Sequence, residues 1–377
     1  MADLMKVYAD FLGHDTEYFL WDTKKDKVVP SYKYFKPKKE EQEFTPGNTK
    51  NIWGANSAAE PAYPLLRKEF RGKHSLTMNS GQPFRVYRDG LAVEVNSYPV
   101  TCRAWVWQDM KLALATALSV KNIPNHVRFT SRPWVKVPHQ LMRHFPDDLK
   151  VLGCNPTFDA YTEKQKVILK DPMKLYFRTS GAHLHTSFSS PQPEENWAPI
   201  IKLADLLVGV PFTYIFGDEL EFKRRELYGQ AGEFRFQQYP TGMTGLEYRV
   251  LSSRLYNHPA IFGLFSGIWH YIVCVSYVDL WKLWDKAWED DICEAINLGT
   301  PEKFPALLNV VAELLSKVGN RYRMQVSKTG MPAGVEFWST LKQLHARGTF
   351  PDAGIVNNLA FPEAHKGWSE YARTWKL

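Results

Sequence analysis

Two pairs of chemically active residues stand two positions apart in stretches that alternate like β-strands. His183 and His185 lie in Gly-Ala-His-Leu-His, and Glu247 and Arg249 lie in Gly-Leu-Glu-Tyr-Arg. Because side chains two residues apart on a strand point to the same face, each pair shares one surface. Imidazole and carboxylate groups bind metal ions, and a guanidinium group binds phosphate or carboxylate. The two pairs therefore predict a site for a metal ion and anionic substrates.

Two further carboxylates occupy similar positions. Glu17 shares a strand face with Asp15. Glu94 shares one with Asn96 and follows an Asp-Gly turn. A carboxylate on an otherwise apolar strand is costly to bury unless it is paired or holds a cation, whereas an edge strand would leave it in water. Together with the histidines and Glu247, these acids predict a site for a hard cation such as Mg²⁺ or Mn²⁺.

A segment rich in glycine and arginine separates the two strand pairs. Its centre, Tyr228-Gly-Gln-Ala-Gly232, predicts a mobile loop whose backbone can approach a ligand closely. Forked donors suited to phosphate or carboxylate groups are available from Arg224, Arg225, Arg235 and Arg249. For the adjacent pair Arg224 and Arg225, a solvated position at a helix end is the alternative.

The composition is that of a globular protein and excludes a disordered or fibrous one. Of 377 residues, 44% are hydrophobic and 23% are charged, which allows a large core. The net charge of +7 favours anionic partners. A nucleic acid stays a weaker alternative, because the basic cluster Lys24–Lys39 also fits a solvated loop.

Cysteine usage and hydropathy predict a cytoplasmic location without a membrane span. The four cysteines lack Cys-x-x-Cys spacing, which argues against a disulfide framework or a thiolate zinc site. The N-terminal residues do not have the basic-then-apolar order of a secretion signal. Residues Ile261–Val278 carry no formal charge, but their polar residues and missing basic flanks favour a buried helix.

The elements that must position these residues are short strands followed by helices. Helical periodicity is predicted for Cys102–Val120, Asn196–Val208, Ile261–Glu294, Pro301–Val318 and Met331–Arg347. Residues 22–82 are predicted as loop, and residues 124–150 as an irregular basic connector. We expect an α+β fold, with a curved, mainly antiparallel sheet whose concave face carries the site and helices on its convex side. The predicted division is a sheet-based domain, residues 1–255, and a helical C-terminal region, residues 256–377, that packs on it.

Five motifs follow one another between Gly13 and Ser253. They read Gly-x-Asp-x-Glu-Tyr, Asp-Gly-x-x-x-Glu-x-Asn, Gly-x-His-x-His, Tyr-Gly-x-Ala-Gly-x-x-Arg and Gly-x-Glu-Tyr-Arg-x-x-Ser. In this order they resemble the motifs of phage-encoded carboxylate–amine ligases (amidoligases), a family of the glutamine synthetase and glutamate–cysteine ligase superfamily. The resemblance implies a glutamine-synthetase-like sheet and ATP-dependent, Mg²⁺-dependent formation of an amide bond. It also implies the host cytoplasm as location, if the protein is phage-encoded, and raises the question of an oligomer.

The resemblance also implies roles for single residues. The ligands of the divalent ions would be Glu17, Glu94, Glu247 and His183. The contacts to the nucleotide would come from His185, Arg224, Arg225, Tyr228, Gly229 and Gly232. Arg235 and Arg249 would hold the transferring γ-phosphate and the acyl phosphate, and Glu247 would act with them in catalysis. ATP would convert a carboxylate into an acyl phosphate, which an amine then attacks.

Four positions depart from the family pattern. His14 and Thr16 flank Asp15 where a small residue and proline are usual, and Asn155 and Thr157 stand where acids are expected. Two alternatives therefore stay open: a catalytically inactive binding or assembly protein on the same scaffold, and a divalent-metal hydrolase or phosphotransferase that uses the His-x-His pair. The sequence also leaves open which small-molecule or peptide carboxylate and amine are joined.

Overall fold

A computed structural model describes residues 11–35, 85–96, 106, 110, 123–149, 157–166, 171–188, 196–238, 244–257, 259–321 and 334–346. These residues form an α+β fold. The strands are β1 Phe11–Asp22, β2 Lys27–Val29, β3 Arg85–Asp89, β4 Ala92–Asn96, β5 Val127–Thr130, β6 Trp134–Lys136, β7 Thr157–Asp159, β8 Lys164–Lys166, β9 Phe177–Thr179, β10 Ala182–Phe188, β11 Glu233–Gln238 and β12 Thr244–Tyr248. The α-helices are α1 His139–Met142, α2 Trp197–Ala204, α3 Val210–Phe216, α4 Glu219–Arg225, α5 Pro259–Tyr271, α6 Tyr277–Trp281, α7 Glu289–Leu298, α8 Phe304–Arg321 and α9 Gly334–Ala346. Two π-helical segments, Asp205–Gly209 and Ile272–Ser276, join α2 to α3 and α5 to α6.

The main sheet is built around its longest strand, β1. Its strand order is β3-β4-β1-β10-β12-β11-β7-β8, and β2 and β5 also pair with β1. The first half of β1 lies between β10 and β4, and its second half lies between β2 and β5. All of the described strand pairs are antiparallel, including the separate pair of β6 and β9. The prediction of a mainly antiparallel sheet with helices is confirmed.

One face of this sheet packs against the helices. Its buried side chains include Tyr18, Leu184 and Tyr248, and the ring of Tyr248 stacks on Trp269 of α5 with 5.8 Å between ring centroids. Burying such a large apolar side chain stabilises the fold by about 1.5–3 kcal/mol. The core therefore contains residues from both sides of position 255, and the division into two regions stays a prediction.

Among the described residues, a second apolar cluster covers one end of the other face. Phe19 of β1 packs there with Val28, Leu91 and Val135 in a smaller apolar cluster. Asp15 and Glu17 precede Phe19 on the same face, because strand residues alternate between the two sides. The polar part of the face therefore begins where this second cluster ends.

One described segment, Trp197–Phe216, is long and apolar enough to cross a membrane. It is 83% buried inside the protein, and a core helix has the same properties. The segment Ile261–Cys274, which covers most of the uncharged stretch seen in the sequence, is likewise an apolar helix, and its described residues are almost all buried.

Several element predictions need correction. The connector 124–150 is not irregular, because Val127 and Phe129 alternate with polar residues in β5, and β6 and α1 follow. The strand predicted for Gly-Leu-Glu-Tyr-Arg ends at Tyr248, one residue before Arg249, and residues 253–256 form a 3₁₀ helix. The helix predicted over Ile261–Glu294 is interrupted after Trp281.

The other helix predictions agree with the structure where it describes them. Asn196–Val208 corresponds to α2 and its π extension, and the last two predicted helices correspond to α8 and α9. Of Cys102–Val120, only Val106 and Met110 are described, and both are helical and buried. Most of the predicted loop 22–82 and the departure at Asn155 lie outside the described residues.

Candidate active site

The antiparallel register places most of the predicted site residues side by side on the open face of the sheet. Residues directly opposite each other on neighbouring strands point to the same side. The cross-strand pairs are Asp15–His183, Glu17–Glu94, His185–Glu247 and Arg235–Glu247. Five strands, from β4 to β11, therefore contribute to one polar surface.

Four of these side chains bring their ligand atoms together in a first cluster. It consists of Asp15, His183, His185 and Glu247, with one ligand atom of each within 4.8 Å of the others. His185 Nε2 lies 2.9 Å from Asp15 Oδ2, and His183 Nδ1 lies 3.2 Å from Glu247 Oε1 and contacts Asp15 Oδ1. Asp15 Oδ1, His183 Nδ1 and His185 Nε2 are buried, and the imidazole nitrogens face the carboxylate oxygens at ion-pair distance. Two imidazoles and two carboxylates that converge in this way form a ligand set that suits a divalent cation.

The first cluster keeps its carboxylates ionised. Burial alone would raise the pKa of Asp15, but the two imidazoles outweigh burial and hold that pKa well below its usual value. Burial is likewise outweighed at Glu247, mainly by Arg249 and His183, so the pKa of Glu247 falls to about 2. Burial lowers the pKa of His183, which favours the neutral ring that metal binding requires. At His185 the charge of Asp15 outweighs burial and raises the pKa.

A second cluster lies beside the first and contains only carboxylates. Glu17, Asp89 and Glu94 each offer one oxygen within 4.8 Å of the other two. Burial, followed by the charges of Asp89 and Glu94, raises the pKa of Glu17 well above its usual value. Glu94 Oε1 accepts hydrogen bonds from Tyr87 Oη and, at 2.9 Å, from Asn96 Nδ2. Repulsion among three crowded carboxylates is relieved by a proton or by a cation, and oxygen ligands suit Mg²⁺ or Mn²⁺.

Two arginines and an amide surround Glu247. Arg249 donates to Oε1, while Gln237 and Arg235 donate to Oε2, the latter at 3.3 Å. Arg249 and Glu247 are almost fully buried. The arrangement places two forked donors next to the first cluster, where they could bind the oxygens of a phosphate or carboxylate.

The loop predicted to be mobile is fixed by hydrogen bonds. The N–H groups of Gly229, Ala231 and Gly232 donate to Glu233 Oε2 at 2.8 Å, Asn297 Oδ1 at 2.8 Å and Asp205 Oδ2 at 2.6 Å. Both glycines have positive φ, +82° and +80°, a conformation that disfavours a side chain. The three N–H groups already have protein partners, the two glycines serve the turn, and the contact of this backbone with a nucleotide stays a prediction.

Arg224 and Arg225 also differ from the prediction. They end α4 and are buried rather than solvated or exposed in a loop. Arg224 donates to the carbonyl oxygens of Ser180, Val250 and Leu251 at 2.7–2.8 Å. Arg225 donates to Ile296 O and Thr213 Oγ1, and burial lowers its pKa to about 10. These contacts give both guanidinium groups a structural role, and the nucleotide contact stays a prediction.

Three residues of the candidate site were missing from the sequence-based set. Asp15 and Asp89 belong to the two clusters, and Gln237 contacts Glu247. Asp15 was recognisable from its i, i+2 relation to Glu17, and Gln237 from its relation to Arg235. His185 belongs to the first cluster, and the nucleotide contact that the resemblance implied for it stays a prediction. Asp89 had no such signal, because it stands next to a turn on a neighbouring strand.

No protein-family model matches the chain, and no curated protein matches it. Among solved structures, it is similar to the complex between the prokaryotic ubiquitin-like protein Pup and its ligase PafA, with 11% identity and a TM-score of 0.44; the match covers 93% of this chain and 64% of that one. It is also similar to a bifunctional glutathione synthetase from Pasteurella multocida, with 11% identity and a TM-score of 0.39 over 93% of this chain and 49% of that one. The chain thus spans less than two thirds of the length of either structure.

Proposed function

We propose that this protein is an ATP-dependent carboxylate–amine ligase. The observation that carries the proposal is the pair of neighbouring ligand clusters with two arginines beside them, on one sheet face. Such a face can hold two divalent cations and a polyphosphate together. The five ordered motifs add the expectation of amide formation, the family of phage-encoded amidoligases, a glutamine-synthetase-like sheet and a reducing, cytoplasmic location.

The residues present fit divalent cations. One would be held by Asp15, His183, His185 and Glu247, and another by Glu17, Asp89 and Glu94. Bound Mg²⁺ or Mn²⁺ would neutralise the charge of the ATP phosphates. Arg235 and Arg249 would bind the anionic oxygens of the transferring group and orient it.

The reaction needs no nucleophilic side chain. A carboxylate oxygen of the first substrate attacks the γ-phosphorus of ATP, and the bond to the β-phosphate oxygen breaks to release ADP. The nitrogen of the second substrate then attacks the acyl carbon, inorganic phosphate leaves, and the nitrogen loses a proton. The buried side chains of Glu247 and Arg249 would keep water away from the acyl phosphate, which would otherwise hydrolyse. Both substrates would be small molecules or peptides.

Measurement of ADP and phosphate release tests the proposal. Wild-type protein with Mg²⁺–ATP is incubated with pooled carboxylates and amines, next to Glu247→Gln and the control Glu302→Gln, whose carboxylate is exposed. We expect substrate-stimulated release that Glu247→Gln abolishes and Glu302→Gln retains. Absence of both nucleotide binding and turnover in the wild type would sink the ligase proposal, and absence of Mg²⁺–ATP binding in calorimetry would favour the inactive binding protein.

A metal-dependent hydrolase is the second candidate. The mixed nitrogen and oxygen ligands of the first cluster, His183, His185, Asp15 and Glu247, favour it, because such a set also suits a catalytic Zn²⁺. A hydrolase needs no nucleotide. Metal-dependent cleavage of esters or phosphoesters in the absence of ATP would support this candidate over the ligase.

A further inference from the structure

Tyr228 contacts His183 on the side of the imidazole that faces away from the carboxylates. The phenol oxygen of Tyr228 is hydrogen-bonded to His183 Nε2, while His183 Nδ1 lies 3.2 Å from Glu247 Oε1. Both side chains are buried, with 5% and 3% of their surface exposed. The two ring nitrogens of His183 therefore have different partners, because Nδ1 faces the first cluster and Nε2 faces the phenol.

The position of Tyr228 is itself fixed by the fold. Its N–H donates to Arg224 O at 2.9 Å, and the next residue, Gly229, forms the tight turn. The Tyr228 ring lies 5.0 Å from the guanidinium carbon of Arg224 and 4.8 Å from that of Arg249, measured to the ring centroid. A side chain at Gly181 would place its Cβ 2.8 Å from His183 Nε2 and 2.9 Å from Tyr228 Cε1. Glycine at 181 is therefore what lets the two rings meet.

We propose that Tyr228 is a positioning residue that fixes the ring orientation of His183 and keeps a hydrogen bond to Nε2 in either tautomer. A phenol can both donate and accept a hydrogen bond. It can donate to Nε2 while Nδ1–H faces the carboxylates. It can also accept from Nε2–H when the lone pair of Nδ1 binds a cation. Hydrogen bonds of this kind orient metal-ligating histidines. The inference rests on the cation site of the proposed function and replaces the nucleotide contact expected for Tyr228 from the sequence.

Substitution of Tyr228 by phenylalanine removes the hydrogen bond and keeps the ring. The control is Tyr256→Phe, which removes a buried 2.8 Å bond between Tyr256 Oη and His14 Nδ1. Ring ¹⁵N resonances of His183 in cation-free protein report the tautomer, and calorimetry with Mn²⁺ reports the affinity. In Tyr228→Phe we expect shifted His183 resonances and a Mn²⁺ affinity about 10-fold weaker. In Tyr256→Phe we expect only the His14 resonances to change.

Unchanged His183 resonances and unchanged Mn²⁺ affinity in a folded Tyr228→Phe variant would overturn the inference. If this variant does not fold, Tyr228 can be replaced by 3-fluorotyrosine, which keeps the ring and strengthens the O–H donor. We then expect the His183 resonances to shift. No shift would overturn the inference. Wild-type protein that binds no Mn²⁺ while His183 still responds to position 228 would disprove the cation site and leave the positioning role intact.

Discussion

Arg249 and His183 both reach the same oxygen of Glu247. Arg249 Nη1 contacts Glu247 Oε1, and His183 Nδ1 lies 3.2 Å from it. A divalent cation in the first cluster would share this oxygen with the guanidinium group, and at a separation of roughly 4 Å a double and a single positive charge repel by about 8 kcal/mol at an effective dielectric constant near 20. Cation binding and the Arg249 contact would therefore oppose each other until an anion such as phosphate joined them.

The first prediction follows from this competition. Arg249→Met removes the charge and keeps most of the volume, so we expect Mn²⁺ to bind about 10-fold more tightly, since even part of this repulsion is worth that factor. ATP turnover should be lost, because the phosphate loses a donor. Calorimetry measures the affinity. Arg128→Met, at the far end of the same sheet, is the control and should leave both quantities unchanged. Weaker Mn²⁺ binding in Arg249→Met would contradict the competition.

Asp15 is the second target, because the sequence-based ligand set omitted it. Asp15→Asn keeps the shape but removes the charge that both histidines face, so we expect the Mn²⁺ affinity to fall at least 10-fold, as measured by calorimetry. The control on the same strand is Asp22→Asn, whose Oδ1 accepts hydrogen bonds from the N–H groups of Lys24 and Lys25 in a turn. Equal Mn²⁺ affinities in the two variants would show that Asp15 is not a ligand of the cation.

The third prediction separates a structural role of Arg224 from a nucleotide contact. Arg224→Met leaves the buried carbonyl oxygens of Ser180, Val250 and Leu251 without this donor, so the free energy of unfolding should fall by about 3 kcal/mol or more. Lys223→Met, one residue earlier with a side chain 40% exposed, should change it by less than about 1 kcal/mol. Urea denaturation measures both. A stable Arg224→Met protein that has lost only nucleotide affinity would show instead that Arg224 contacts the nucleotide.

Two glycines offer a matched pair for the fourth prediction. A Cβ at Gly229 would lie 2.0 Å from Arg224 Nη1 at a φ of +82°, so Gly229→Ala should destabilise the protein by roughly 3 kcal/mol or more. At Gly319, within α8, a Cβ meets nothing within 4 Å, so Gly319→Ala should be neutral or stabilise by up to about 1 kcal/mol. Thermal unfolding compares them, and similar melting temperatures would contradict the structure of the turn.

Asp205 gives a pH dependence for the fifth prediction. Burial raises its pKa from 3.8 to about 7, against the hydrogen bonds from Tyr248 and Gly232. Between these values the folded protein keeps a proton that the unfolded chain has lost, so the free energy of unfolding falls as the pH rises from about 4 to 7. The full effect is on the order of 4 kcal/mol. Because asparagine cannot ionise, the stability of Asp205→Asn relative to the wild type should increase as the pH rises from about 4 to 7. A difference independent of pH would show that Asp205 stays ionised.

The sequence was sufficient for the parts of the site that depend on local periodicity. The i, i+2 spacing of His183 and His185 placed both on one strand face, and the same spacing applied to Glu247 and Arg249. The grouping into two clusters could not be predicted, since it depends on the register that sets Asp15 opposite His183 and Glu17 opposite Glu94. Register depends on packing between distant segments.

The same reason explains the errors around the glycine loop. Gly229 and Gly232 led to the prediction of a mobile loop, because the partners that fix this segment, such as Asp205 and Asn297, lie 27 and 66 residues from the groups they bind. Arginines at a helix end look alike in sequence whether they bind a ligand or buried carbonyl oxygens. Only the tertiary fold distinguishes these two uses of Arg224.

Strand β1 supplies one acid to each cluster, Asp15 to the first and Glu17 to the second. Their Cα atoms are two strand residues apart, about 6.6 Å from the standard rise per residue. The backbone repeat of β1 thus sets the distance between the two candidate cation sites. Exchanging side chains could alter which ion each site prefers, but hardly the spacing between them. Loss or gain of one residue between Asp15 and Glu17 would turn one of the acids toward the apolar core and dismantle the pair.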